Sequence, residues 1–169
     1  MSSPQYVWTA KIGDKFKGES KIEGAQDHID LVQRPINPTQ QHTRGRNGTG
    51  LSPVGVPMYD DIQIVSHWTS SSPGLRLLED SDPVDVEIVS WMIDPQTKKP
   101  VKRIIWTVGN CAVHGVREGA LDEEPDVFSL YWSTLKTETK KQDPTNGSLG
   151  AGTVVIYDRF KGVLSTSAS

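Results

Sequence analysis

Alternation with a period of two is the feature that most restricts what this chain can fold into. In VDVEIVSWMI (84–93) apolar and polar side chains alternate, the pattern of a strand with one buried face. Residues 6–12 read the same way and are closed by Gly13-Asp14. Further strands are expected over 16–22, 28–36, 58–68, 103–108, 111–116, 127–140 and 153–160, with turns at Asp94-Pro95-Gln96-Thr97 and around Gly109-Asn110. A helical pattern occurs once. Ser72 is placed to cap it, Pro73 suits its first position, Leu75 and Leu78 share a face, and Asp82-Pro83 ends it after barely two turns. Strands in this number, joined as in an antiparallel sheet and accompanied by one short helix, predict a mainly β barrel or sandwich. A length of 169 residues fits one domain that buries about 70% of the surface its unfolded chain exposes.

Two stretches do not fit a simple strand pattern. KIGDKFKGESKIEGAQDHIDL (11–31) sets Gly13-Asp14 close to Gly18-Glu19-Ser20, and its lysines and acids leave little for a core. Residues 37–57, NPTQQHTRGRNGTGLSPVGVP, carry four glycines and three prolines with hardly any large apolar side chain. This reads as one long extended loop, well beyond the common connection of roughly 4 to 6 residues, and loops of that size are usually functional or unstructured. The chain is expected to close on a flexible tail over about 162–169, ending Ser-Thr-Ser-Ala-Ser.

Composition excludes several function classes. A net charge of -3 argues against a general nucleic-acid binder. No stretch approaches the roughly 18 apolar residues that cross a bilayer, so no membrane insertion is expected. The first ten residues lack the basic and apolar regions of a signal peptide. Cys111 stands alone, which excludes an intrachain disulfide and fits synthesis in a reducing cytoplasm.

The residues show no catalytic constellation. Gly18-Glu19-Ser20-Lys21-Ile22 begins like a nucleophile elbow but lacks the second glycine and a following long helix. His28, His42, His67 and His114 share no short motif with one another or with Cys111, so no metal site is expected. Asp60-Asp61 and Glu123-Glu124 are sequence neighbours, whose side chains on a strand point to opposite faces. Gly45, Gly48 and Gly50 with Arg44 and Arg46 give only a weak phosphate signal without a following helix N-terminus. Asn47-Gly48-Thr49 and Asn146-Gly147-Ser148 are glycosylation sequons that matter only in a eukaryotic secretory pathway. The expectation is a protein with no enzymatic activity and no cofactor.

Taken in order, the segments resemble a known family. AKIGDKFKGES, a polar spacer and HIDLVQRPI are similar to the opening of the Hcp (haemolysin-coregulated) proteins, the inner-tube subunits of bacterial type VI secretion. DIQIVSHWTSSSPGLRLLED resembles that family's strand and single helix. VDVEIVSW, RIIWTVGNCAVHGV and FSLYWSTLKTETK resemble its paired strands, and 154–157 its closing strand. The resemblance spans roughly residues 6 to 160. The acidic loop 118–126 and TNGSLGAG (145–152) have no counterpart in the pattern.

The resemblance implies a single β-barrel domain that forms hexameric rings stacked head-to-tail. Such a tube sits inside a contractile sheath, meets a trimeric spike and holds effector cargo in its lumen. The protein would be made in the bacterial cytoplasm and then secreted without a signal peptide. The 37–57 loop would reach the adjacent ring through Gln41, His42, Arg44, Arg46, Asn47, Leu51 and Val54. Asp14, Lys17, Glu19, Ser20, Glu123 and Glu124 would make subunit contacts. The basic loop and the acidic 118–126 loop would attract each other across a head-to-tail junction. Two other readings stand beside this one. One is the tail-tube protein of a phage-derived injection particle. The other is a monomeric β-barrel that binds a small ligand or glycan, for which Trp8, Trp68, Trp91, Trp106 and Trp132 would supply aromatic walls.

Overall fold

The alternating segments form strands in a computed structural model, which describes residues 7–35, 40–47, 50–119, 124–160 and 163–168. The elements are β1 (Val7–Ile12), β2 (Ile29–Asp30), β3 (Gln40–Asn47), β4 (Gly50–Tyr59), β5 (Ile62–Ser66), α1 (Leu75–Glu79), β6 (Val84–Ile93), β7 (Pro100–Arg117), β8 (Asp126–Tyr131), β9 (Thr134–Gln142), β10 (Leu149–Asp158) and β11 (Val163–Ala168). Nine strands share one antiparallel sheet in the order β11-β10-β9-β7-β6-β1-β2, with β8 and then β5 continuing from β7. β3 and β4 pair with each other and with no other described strand.

Gly109-Asn110 does not turn the chain back. β7 runs through it for 18 residues and changes partner there, from β6 and β9 before it to β8 after it. Asn110 takes a left-handed backbone (φ 47°), a conformation that asparagine tolerates better than most residues. Its N–H donates to Asp85 Oδ1 at 2.8 Å, and Ser133 Oγ donates to its carbonyl at 3.0 Å. Gly109 leaves room for the Thr134 hydroxyl, which would have to turn away from a Cβ placed 2.3 Å from it. The expected long strand over 127–140 breaks at the same level. Trp132 and Ser133 divide it into β8, which pairs with β5 and β7, and β9, which pairs with β7 and β10.

The sheet curls so that β2 and β5 meet. They are joined by an isolated bridge between Leu31 and Ser66, with Val32 N–H to Val65 O at 2.9 Å and His67 N–H to Asp30 O at 3.0 Å. The mainly β architecture with one short helix is as expected. No continuous strand ladder closes the described strands into a barrel, and this bridge is what crosses the seam.

The main core lies inside the curl. It includes Val86, Ile88, Ile62, Ile64, Phe128 and Leu130, all fully buried. In β6 the alternation stops being one-sided, since Val89 to Met92 are all buried. The reason is the polar segment after β1. Residues 16–22, expected as a strand, form a loop that folds over the outer face of β1 and β6. Phe16 turns into the main core, while Ile22 and Ala25 pack with Val89, Trp91 and Ile105 in a second cluster. Gly18 donates its N–H to Asp27 O at 3.1 Å, and a Cβ there would lie 2.1 Å from the His28 carbonyl oxygen. Backbone approach that close is why a glycine stands there.

Three other expectations change. The 28–36 strand shrinks to β2 and the Leu31 bridge, and 58–68 is split at Asp60-Asp61. The tail residues 163–168 form β11 along β10. Ser72 does not cap the helix, which enters through a 3-10 turn (Ser72–Gly74). Its hydroxyl donates to buried Asp126 Oδ2 at 2.5 Å and accepts from Thr69 N–H at 2.8 Å, tying the turn to β8.

Beneath the covering loop is a buried polar chain. Trp91 Nε1 donates to Thr9 Oγ1 at 2.8 Å, and Thr9 Oγ1 lies 2.9 Å from His28 Nδ1. The Thr9 hydroxyl thus bridges the indole N–H and the imidazole, with the direction of its bond to Nδ1 set by the tautomer of the ring. Burial lowers the His28 pKa from the ordinary 6.5. Glu87, 3.8 Å away, opposes that shift, while Lys102 and Lys11 add to it and Asp27 works against them. Below 6.5 the unfolded chain therefore binds more protons than the folded one, so stability is lost as pH falls through this window. Melting temperature should drop between about pH 7 and about pH 5, and His28→Gln should flatten that slope. An unchanged slope in the variant would assign the acid sensitivity to other groups.

Candidate functional site

Residues 40–59 stand apart from the rest of the sheet. The expected loop is a β-hairpin with Cα partners from Gln40↔Tyr59 to Asn47↔Gly50 and a register shift between Gln41 and Thr43. Gln41, His42, Arg44, Arg46 and Asn47 lie on β3, and Leu51 and Val54 on β4, with Arg44 opposite Pro53 and Arg46 opposite Leu51. In these strands the two backbones satisfy each other's N–H and C=O groups. Asn47-Gly48 between the two halves is the hairpin signal that could have located it.

The hairpin is anchored at its root. Tyr59, the last residue of β4, is buried with its ring centroid 5.6 Å from Trp132 and 5.9 Å from Tyr157. Burial and then Tyr157 raise its phenol pKa above the ordinary value. Trp132 Nε1 donates to Asp60 O at 3.0 Å. Asp61 spends both carboxylate oxygens: Oδ1 accepts from Arg159 Nη1 at 2.9 Å, and Oδ2 lies 2.8 Å from His114 Nε2. Arg159 in turn stacks over Tyr131 at 4.3 Å and stands 5.5 Å from the Trp132 ring centre. The root is thus tied to β7, β8 and β10 at once.

One recess adjoins the root and another lies apart from it, beside β1 and β6. A cleft of about 290 Å³ is lined by Tyr59, Tyr157, Trp106, Trp132, Leu135 and Arg34. An open groove of about 770 Å³ lies beside the covering loop, with Lys11, Lys15 and Lys102 interspersed among Asp14, Asp85 and Glu87. Its alternating charges suit solvent rather than one anionic or cationic ligand. Among the described residues no cluster of His, Cys, Asp and Glu is arranged to hold a metal ion.

The other site candidates fall on the covering loop. Lys17 donates to Asp27 at 2.9 Å, and Ser20 Oγ accepts from Ile22 N–H at 3.4 Å. Glu19 accepts from the hydroxyls of Ser70 and of Ser71, the latter at 3.3 Å, which ties the loop to the turn before α1. These three residues have intrachain partners. Asp14 is open to solvent, its nearest cation being Lys11 at 3.9 Å. Glu124 is exposed, and Glu123 lies outside the described residues. The residues that organise the hairpin root, Tyr59, Asp61, Trp132 and Arg159, had no sequence signal as a group, since they meet only through long-range pairing.

No protein-family model and no curated relative matches the chain. Solved structures do. A type six secretion system protein is similar with a TM-score of 0.78 and 16% identity, over 95% of this chain and 100% of that one. Hcp1 from Salmonella typhimurium follows at 0.64 and 18%, over 95% of this chain and 99% of the other. The secreted protein Hcp3 from Pseudomonas aeruginosa matches at 0.58 and 11%, over 91% and 98%. At such identities the likeness shows the fold, and the fold is that of Hcp proteins over nearly the whole chain.

Trp132 carries most of the anchoring, being fully buried and donating its one polar proton. Trp132→Ala should lower folding stability by about 3 to 5 kcal/mol, and Trp132→Phe, which keeps the ring but leaves the Asp60 carbonyl without its donor, by about 1 to 3 kcal/mol. Chemical denaturation checks both. A Phe variant as stable as wild type would mean that the indole N–H contributes nothing separable, and equal losses would mean that the ring packing adds nothing beyond it.

Proposed function

We propose that this chain is a structural tube subunit of a type VI secretion system. It forms closed, most simply hexameric, rings that stack head-to-tail inside a contractile sheath behind a trimeric spike. It is made in the bacterial cytoplasm and exported with the tube, effector cargo travelling in the lumen. No enzymatic turnover is part of this role. The observation that carries the reading is the match over 95% of this chain to a type six secretion system protein of which no part is left over.

The physics of a tube is compatible with this architecture. A ring needs one heterologous interface that repeats until it closes, and a stack needs a second between unlike ends. β11 pairs with β10 on one side, and no described strand pairs with its other edge, which leaves backbone groups free for a neighbouring copy. The hairpin pairs with no other described strand and joins the main core through Tyr59. It is the natural element to reach the next ring, with Arg44 and Arg46 on β3 supplying positive charge toward an acidic face such as that of Glu124.

The aromatic cleft favours a second reading, a monomeric β protein that binds a small ligand. Mass in solution separates the two. Light scattering coupled to size exclusion should give about six times the 18.6 kDa of one chain, and negative-stain images should show rings with an open centre. A stable monomer at high protein concentration would overturn the tube reading.

Replacing residues 42–57 by a short Gly-Ser link should leave the circular dichroism spectrum, the melting temperature and ring mass near wild type, because the hairpin pairs with no other described strand. Stacks should disappear from sedimentation profiles and from negative-stain fields. A collapse of the melting temperature would make the hairpin part of the fold's stability instead.

A further inference from the structure

We infer that Asp61 is the residue that sets the direction of the β3–β4 hairpin, and that it thereby governs ring-to-ring stacking without contacting the next ring. The second half of this statement rests on the tube reading above; the first does not.

The argument begins with leverage. A two-stranded ribbon that pairs with no other described strand is held in direction by its root, and the hairpin's downstream root is residues 59–61. Ile62 next in the chain is fully buried at the start of β5 and is therefore fixed. Tyr59 positions the root by ring packing, which is tolerant of tilt. What constrains tilt is directional bonding, and two groups of the described downstream root contribute to it. One is the Asp60 carbonyl on Trp132 Nε1. The other is the Asp61 carboxylate, held on separate oxygens by Arg159 from β10's end and His114 from β7.

Arg159 is built to be an anchor. Its backbone N–H donates to Ser133 O at 2.9 Å, its guanidinium lies 4.3 Å from the Tyr131 ring centre, and its side chain is only 17% exposed. A guanidinium already held by stacking and by its own backbone loses little further freedom on binding a carboxylate. Asp61 itself is 29% exposed, so its loss leaves no deeply buried cavity. It matters more for direction than for folding. The dispersed contacts of the core hold the curl, whereas among the described residues the bonds that bear on the hairpin's angle gather at its downstream root. In a ring, an error of angle at each root would be repeated at every subunit of the junction.

The test uses full-length protein and two readouts. Spin labels on Ser52→Cys and Lys140→Cys report the distance from hairpin to sheet, Cys111 being buried and unlabelled. In an otherwise unchanged chain the distance distribution should be narrow. Asp61→Ala should broaden it while the melting temperature and ring mass stay close to wild type, and stacked rings should fall at least about tenfold at equal concentration. Arg159→Ala should behave alike, and the double variant should be no worse than either single one, the signature of one shared interaction. If Asp61→Ala fails to fold, Asp61→Asn keeps the shape without the charge and carries the same readouts. An unbroadened distribution with normal stacking overturns the inference while loss of stacks in the hairpin-shortened protein keeps the tube reading. Normal stacking in the hairpin-shortened protein sinks the stacking half and that reading together, whatever Asp61 does.

Discussion

The structure depends on one strand's being shared by two parts of the sheet. β7 hydrogen-bonds β6 and β9 along its first half and β8 along its second, so its bend at Gly109-Asn110 decides where the chain stops being flat and starts to curl. At roughly 3.3 Å per residue a straight strand of this length would far outreach a small core, so it has to bend to stay buried. The bend is matched across the ladder. Ser133, in the gap between β8 and β9, donates its N–H to the Gly109 carbonyl and its hydroxyl to that of Asn110. Because both neighbours change direction at the same level, few backbone groups are stranded where the pairing switches, and the curl brings β5 round to the seam with β2.

That curl leaves the outside of β1 and β6 in need of cover. Trp91 and Val89 point away from the main core, and a bare sheet would expose them. The loop between β1 and β2 supplies the cover with Ile22 and Ala25, and the hydroxyl of Thr9 joins the indole N–H to His28 beneath it. This explains why so charged a segment stands near the start of the chain. Its lysines and acids face solvent, its few apolar residues face inward, and Gly18 allows the backbone of one arm to touch the other. Glu19 and Ser20, which look like candidates for contact or chemistry, hold this cover together.

The hairpin poses the opposite problem. It is paired along its length by backbone hydrogen bonds and tied at its base by Tyr59, Asp60 and Asp61. Such an element is well suited to meeting another molecule, since it pairs with no other described strand. Aromatic packing gives the base its stability, with pairs worth about 0.5 to 1.5 kcal/mol beyond area burial, and the carboxylate gives it direction.

Local chemistry was enough to settle much of this fold. Alternation located β1, β6 and most of β10, because one-sided burial writes itself into the sequence with the strand's own period. The short helix with Pro73 and Leu75 and the overall order of segments were legible from local pattern as well. What the sequence could not reveal depends on partners far along the chain. Gly109-Asn110 is as good a turn as a kink, and only Asp85 and Ser133 decide between them. Residues 163–168 look like a polar tail until β10 offers them a ladder. Ser72 would cap a helix were Asp126 not placed to take its proton. At the hairpin root, Asp61, His114, Trp132 and Arg159 lie far apart in sequence and converge by strand pairing alone. Periodicity reports which face of an element is buried; what buries it is a property of the folded chain.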